Sequence, residues 1–305
     1  MRAATAEIMG TVISIAAPDA TDPEVFAAGT EAAFESLRRA DRIFSAYRPD
    51  SPISQIRDGR LTLDRLRGHP DGDEIRTVLA LCAQLKRESV GAFDAWAVGR
   101  RAGGRTSIGP ADHTRTSDEP AGEAEPGFDP SGLVKGWAAE RASVLLASSG
   151  VPAHSLGAGG DIRVRGGRGS VGTSGSGEPW RIGVSDPHRT GQLLTVVELT
   201  DGAVATSGTA ERGEHIWDPH TGSPATALAS VTIVGPNLTW ADGYATAAHA
   251  LAGADPTGPS TAYAWLRELA ARTGYQAFVV TQDSAVWWTD GFPAYAPSLR
   301  FADQA

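Results

Sequence analysis

The sequence predicts an α+β fold, and three of its features lead there. Segments with apolar residues at three- and four-residue spacing are interleaved with short runs rich in β-branched residues. Between about residues 153 and 206 short strands follow one another with no helix between them, and the regular strand and helix alternation of a doubly wound sheet is missing. No self-similarity at a solenoid period is present. At 305 residues and 41% hydrophobic content the chain can bury a sizeable core. We treat residues 1–305 as a single domain with a long surface excursion at about 100–127.

Residues 8–17 (IMGTVISIAA) read as a first strand. A helix opens at Asp22-Pro23, where proline suits the first turn, and runs towards Phe44. A second helix over about 73–90 carries Ile75, Val78, Leu79, Cys82 and Leu85 on one face and stops at Gly91. From Arg100 to Gly127 the periodicity is lost to Gly, Pro and charge. A helix over 135–149 ends before Gly150, strands follow at 153–157 and 161–165, and a glycine-rich loop covers 166–179. Further strands are expected at 181–184, 193–199, 203–206 and 229–235, helices at 242–252 and 260–273, and a closing strand pair at 276–281 and 285–289.

The net charge of −9 gives no basic excess for a phosphate backbone, so nucleic acid is not an expected partner. Cys82 is the single cysteine, which excludes an intramolecular disulfide and a thiolate-rich metal site. Its setting, LALCAQL, is that of a buried structural thiol. No stretch approaches the roughly 18 apolar residues of a membrane span, and the first residues lack a signal-peptide core, so the expected compartment is the cytoplasm.

Four segments carry residues able to do chemistry. In Trp240-Ala-Asp-Gly-Tyr-Ala-Thr246, Asp242 and Thr246 stand four apart, so a carboxylate and a hydroxyl share one helix face. That pair suits hard magnesium, and Asp242 at a helix start equally suits a cap. In Phe128-Asp129-Pro-Ser-Gly132-Leu-Val-Lys135-Gly136 a carboxylate, an open backbone and a lysine lie at a helix entrance. They read as an anion or nucleotide contact, or as a capped loop with a solvated lysine. Leu156-Gly-Ala-Gly159-Gly160-Asp161-Ile162 is followed by a strand and not a helix, which excludes a dinucleotide fingerprint and leaves a tight turn or a ligand contact. After Ala203-Val-Ala-Thr206-Ser207-Gly208 comes Glu214-His215-Ile216-Trp217-Asp218-Pro219-His220-Thr-Gly222, where His215 is a candidate general base or a structural histidine.

In this order the segments resemble the ApbE family of FAD:protein FMN transferases. The resemblance starts at Met9-Gly10-Thr11, continues through Phe44-Ser45-Ala-Tyr47-Arg-Pro-Asp50-Ser51-Pro-Ile-Ser54 and Gly91-Ala92-Phe93-Asp94, and ends at ADGYATA, spanning about 240 residues. It implies a mixed two-lobed α+β architecture with a nucleotide cleft between the lobes. It implies that Met9, Tyr47, Ala92, Phe93, Asp94, Asp129, Lys135 and Ile216 line an FAD site, and that Mg2+ binds the Gly132 carbonyl, Asp242 and Thr246. Where some relatives carry Asp before the final threonine, Ala245 stands here. The implied reaction is Mg2+-dependent transfer of the FMN half of FAD to a threonine or serine of an acceptor protein, releasing AMP, with His215 and Asp242 as catalytic residues. Many relatives are exported lipoproteins; this chain opens close to the first motif, so its acceptor is expected to be met without export. Two other outcomes fit the same cleft: hydrolysis of FAD to free FMN and AMP, and flavin binding without turnover.

Overall fold

The computed structural model describes residues 1–97, 127–168, 177–209, 216–253 and 259–299. The surface excursion expected at 100–127 falls almost wholly outside these residues, as do His215 and part of the glycine-rich loop.

Two consecutive residues with left-handed backbone angles, Met9 at φ 58° and Gly10 at φ 68°, fold the N-terminal apolar run back on itself. The single strand expected over 8–17 is therefore a hairpin of β1 (Arg2–Ile8) and β2 (Thr11–Ala17), with Ile8 opposite Thr11. A two-residue turn with both angles positive matches the twist of the flanking strands. Helix α1 (Pro23–Phe44) starts where expected, because the Asp22 side chain accepts the Glu24 and Val25 N–H groups and Pro23 needs no partner. Next come α2 (Pro52–Arg57), capped by Ser51, a 3-10 helix (Leu63–Gly68) and α3 (Gly72–Glu88). Helix α4 (Ser131–Ser148) leads into the hairpin β3 (His154–Ala158) and β4 (Asp161–Arg165). A second hairpin pairs β5 (Trp180–Ser185) with β6 (Leu193–Leu199), and β7 (Gly202–Gly208) follows. The short pair β8 (Trp217–Asp218) and β9 (Ser223–Pro224) precedes β10 (Leu228–Gly235). Helices α5 (Leu238–Leu251) and α6 (Pro259–Thr273) and strands β11 (Gln276–Thr281) and β12 (Val286–Trp288) close the fold.

Eight strands form one antiparallel sheet in the order β1-β2-β3-β4-β7-β10-β11-β12. With antiparallel pairing throughout, this is the α+β class the sequence predicts. Side chains alternate between two cores. Ala203, Ala205, Val231, Ile233, Ala277 and Val279 face the helices, whereas Val204, Val234, Phe278 and Val280 face the β5–β6 hairpin. Both faces of β10 are covered and all eight of its residues are buried, which is why it reads as an apolar run and not as an alternating one. Burial and the charges of Asp129 and Asp94 push the Cys82 thiol up to about 12, so it stays protonated and inert. Among the described residues no helix is long and apolar enough to cross a membrane.

Candidate active site

Three glycines let the helices approach each other at the centre of the molecule. A methyl group on Gly136 of α4 would sit 2.5 Å from the Leu238 carbonyl oxygen and 2.6 Å from the Asp242 Cβ of α5. One on Gly132 would lie 3.0 Å from Thr246 Cγ2, and one on Gly243 would lie 2.6 Å from Leu85 Cδ2 of α3. The close approach brings the Gly132 carbonyl oxygen to 3.3 Å from Thr246 Oγ1, which donates to it. Asp242 Oδ2 in turn accepts the Gly136 N–H at 2.8 Å. Because Leu238 O is backbone and cannot swing aside, Gly136→Ala is expected to lower the unfolding free energy by about 1–3 kcal/mol, read from chemical denaturation.

The cap reading of Asp242 is corrected by the true start of the helix. Asn237 caps α5 by accepting the Thr239 N–H, and Asp242 lies in the next turn, 4% exposed and aimed at α4. Glu140 of α4 fixes the same end of α5. Its carboxylate accepts the Leu238 N–H at 2.8 Å and pairs with Arg163 at 3.1 Å and Arg165 at 2.7 Å of β4. A buried carboxylate is tolerated there because two guanidinium groups and a free helix N–H surround it.

A cavity of about 540 Å³ opens beside this junction. Nine of the residues singled out from the sequence line it: Ala92, Phe93, Asp94, Asp129, Gly132, Lys135, Ile216, Asp242 and Thr246. Phe93 and Ile216 are buried apolar walls. Asp94 is held by Lys86 at 2.8 Å and accepts the Trp96 N–H, so it also fixes the turn after α3. The Asp129 carboxylate accepts the Ser131 N–H at the start of α4, whose first turn lines the cavity at Ser131 and Gly132 with the positive end of the helix dipole. Met9 and Tyr47 are not among the lining residues. Met9 occupies the β1–β2 turn and packs against the helix-side core, and Tyr47 follows α1 with 81% of its surface exposed. His215 lies outside the described residues, next to Ile216.

The glycine segment is a tight turn that also lines the cavity. Gly159 and Gly160 take φ 57° and 91° in the two-residue β3–β4 loop, and both line the cavity. Asp161, directly after them at the start of β4, is a site residue that its motif does not reveal. Its side chain is 1% exposed, accepts the Thr206 N–H at 3.1 Å and forms a short ion pair with Lys135 Nζ. Lys135 Nζ also stands 3.8 Å from Asp242 Oδ1. Burial, with the neighbouring Asp242 charge, raises the Asp161 carboxyl above its ordinary range, and Lys135 opposes the rise. Sequence reasoning also missed the end of β5 and the β5–β6 loop, where Ser185, Asp186, Pro187 and Thr190 line the cavity. Asp186-Pro187 signals a turn, and nothing in the sequence distinguishes a turn that faces a ligand from one that does not.

The donors fit a small, hard dication. A carbonyl, a hydroxyl and a carboxylate converge from two rigid helices, all three through oxygen. Among the described residues no group of three or more His, Cys, Asp and Glu side chains is placed to hold a metal. A cation held here would have to rely on neutral oxygens and on oxygens from a ligand, as magnesium commonly does. Ala245, where a further carboxylate stands in some relatives, is fully buried in the helix-side core.

Comparison with known proteins shows the family and the fold. The model of the ApbE family matches residues 9–271. A Treponema pallidum protein named FAD:protein FMN transferase is 36% identical over 136 residues, 41% of this chain and 38% of that protein. A Rhodobacter capsulatus protein of the same name is 31% identical over 172 residues, 53% of this chain and 29% of that protein. The aligned stretches thus span well under half the length of these relatives. The crystal structure of a Thermotoga maritima ApbE protein superposes with a TM-score of 0.70 at 25% identity, covering 96% of this chain and 98% of that one. The Vibrio cholerae flavin transferase ApbE shares the fold at the same TM-score and 22% identity over 96% of this chain and 98% of its own. With the family model covering most of the sequence and the fold shared along nearly its whole length, this chain belongs to the ApbE family.

Proposed function

We propose that the protein is an enzyme that transfers the FMN half of FAD to a threonine or serine hydroxyl of an acceptor protein and releases AMP, with Mg2+ held by the Gly132 carbonyl, Asp242 and Thr246. The observation that supports it most is the convergence of those three oxygens with Lys135 and the first turn of α4 at the edge of one cavity. Two relatives named FAD:protein FMN transferase support FAD as the substrate and a protein as the acceptor.

Each residue has a task set by its chemistry. Phe93 and Ile216 offer apolar surface to a ring system, while Lys135 and the N–H groups of the first α4 turn offer positive potential to phosphates. Mg2+, when bound, neutralises pyrophosphate charge that otherwise repels an attacking oxygen. The acceptor oxygen bonds to the phosphorus on the FMN side, the pyrophosphate P–O bond breaks, and AMP departs. The hydroxyl proton passes to His215. Most of the acceleration then comes from alignment and from fixed charge.

The direct test incubates the protein with FAD, Mg2+ and candidate acceptors from its own genome. A covalently fluorescent acceptor band in a denaturing gel is the expected result; intact FAD with every acceptor overturns the reading. His215→Asn should lower the transfer rate about 10²-fold or more and leave FAD affinity nearly unchanged. A rate equal to the parent's at every pH removes His215 from the proton path.

A further inference from the structure

Two buried carboxylates flank one ammonium beside the cavity, which Lys135 and Asp242 line, and they are not arranged symmetrically. Lys135 Nζ makes its short ion pair with Asp161 Oδ2 and stands 3.8 Å from Asp242 Oδ1. Asp161 is fixed in turn by the Thr206 N–H of β7, 3.1 Å from its other oxygen, at the end of a glycine turn that sets where the carboxylate points. The lysine is only 19% exposed, and the two carboxylates 1% and 6%. Charges buried to this degree are weakly screened, so an ammonium resting fully on Asp242 would compete with any divalent cation for the same oxygen.

We propose that Asp161 is a positioning residue that holds the Lys135 ammonium away from Asp242 and so keeps the Asp242 carboxylate available to the metal. This rests on Asp242 being the metal carboxylate. Asp161 acts through Lys135 and does not touch the metal itself. Two consequences separate this role from that of a direct ligand. Loss of the Asp161 charge frees Lys135 to settle on Asp242, which weakens metal binding. Removal of the lysine as well abolishes the competition, and metal binding returns. A direct ligand allows no such recovery.

The test is titration of the flavin-free protein with Mn2+, a paramagnetic substitute for Mg2+, counting free ion by electron paramagnetic resonance. Asp161→Asn keeps the volume and an oxygen for the Thr206 N–H, and it should raise the Mn2+ Kd about tenfold or more. Lys135→Met should tighten Mn2+ binding, and the double variant should bind at least as tightly as the parent. A double variant as weak as Asp161→Asn overturns the proposal and makes Asp161 a ligand. An unchanged Kd in Asp161→Asn overturns it as well. If Asp161→Asn does not fold, Lys135→Met alone decides: unchanged Mn2+ affinity rules out the competition. Asp242→Ala serves as the control. Mn2+ binding that survives it removes the metal assignment itself, a failure distinct from those of the Lys135 and Asp161 variants.

Discussion

Asp242→Asn is expected to lower the rate of FMN transfer roughly 10³-fold or more while the protein keeps its fold, because several kcal/mol of charge stabilisation is lost with the metal. Asparagine has the volume of aspartate and retains an oxygen for the Gly136 N–H, the contact that joins α4 to α5. The substitution therefore removes the charge and spares the packing. Asp242→Ala removes both. It leaves a buried N–H without its acceptor, at a cost of about 1–3 kcal/mol, so the alanine variant should melt earlier than the asparagine variant although both are inactive. The measurements are the covalently fluorescent acceptor band, its dependence on Mg2+, and a thermal melt followed by circular dichroism. Full transfer by Asp242→Asn in excess chelator would refute the role assigned to the carboxylate.

Legibility of the fold in the sequence depended on where its punctuation lies. Strands at 161–165, 193–199 and 276–281 were read with the bounds they have, because turn residues and β-branched runs mark both ends. The helix expected from 135 begins at Ser131, since its N-cap, Pro130, makes no side-chain hydrogen bond and gives no capping signal. The helix expected from 242 begins at Leu238. Asn237 is an ordinary cap residue, but Asp242, another residue of cap type, carries the same signal from inside the helix. The hairpin hidden in 8–17 turned on Met9 at φ 58°, a residue type that carries no turn signal.

The site was legible in its parts and not in its pairings. Residue types suited to metal and phosphate were visible in their motifs, and Asp94, Asp129, Gly132, Lys135, Asp242 and Thr246 share a cavity. Which carboxylate meets Lys135 was not visible. Asp161 lies 26 residues from it, and the contact is set by the packing of α4 between β4 and α5, where the absence of a side chain at Gly136 decides the spacing. A motif records residues near one another along the chain. Long-range juxtaposition depends on the packed helices and sheet.

The second large effect concerns which oxygen reaches the phosphorus. Transfer and hydrolysis break the same P–O bond, and they differ in whether an acceptor hydroxyl or water attacks. A hydroxyl delivered by a docked protein acts as a positioned nucleophile, an advantage of about 7 kcal/mol or more when alignment is good, whereas water has no orienting partner here except the base. Ser185, Asp186, Pro187 and Thr190 line the same cavity as the α4 and α5 donors. With a true acceptor in excess, AMP should therefore appear in near one-to-one proportion with covalent FMN, and free FMN should be minor. Mass spectrometry of the acceptor should place the FMN phosphoester on one threonine or serine, and replacing that residue should leave only slow FAD breakdown. Equal amounts of AMP and free FMN with every acceptor supplied would make the protein an FAD pyrophosphatase. The α4 and α5 donor set would then serve the attack of water, with no acceptor protein involved.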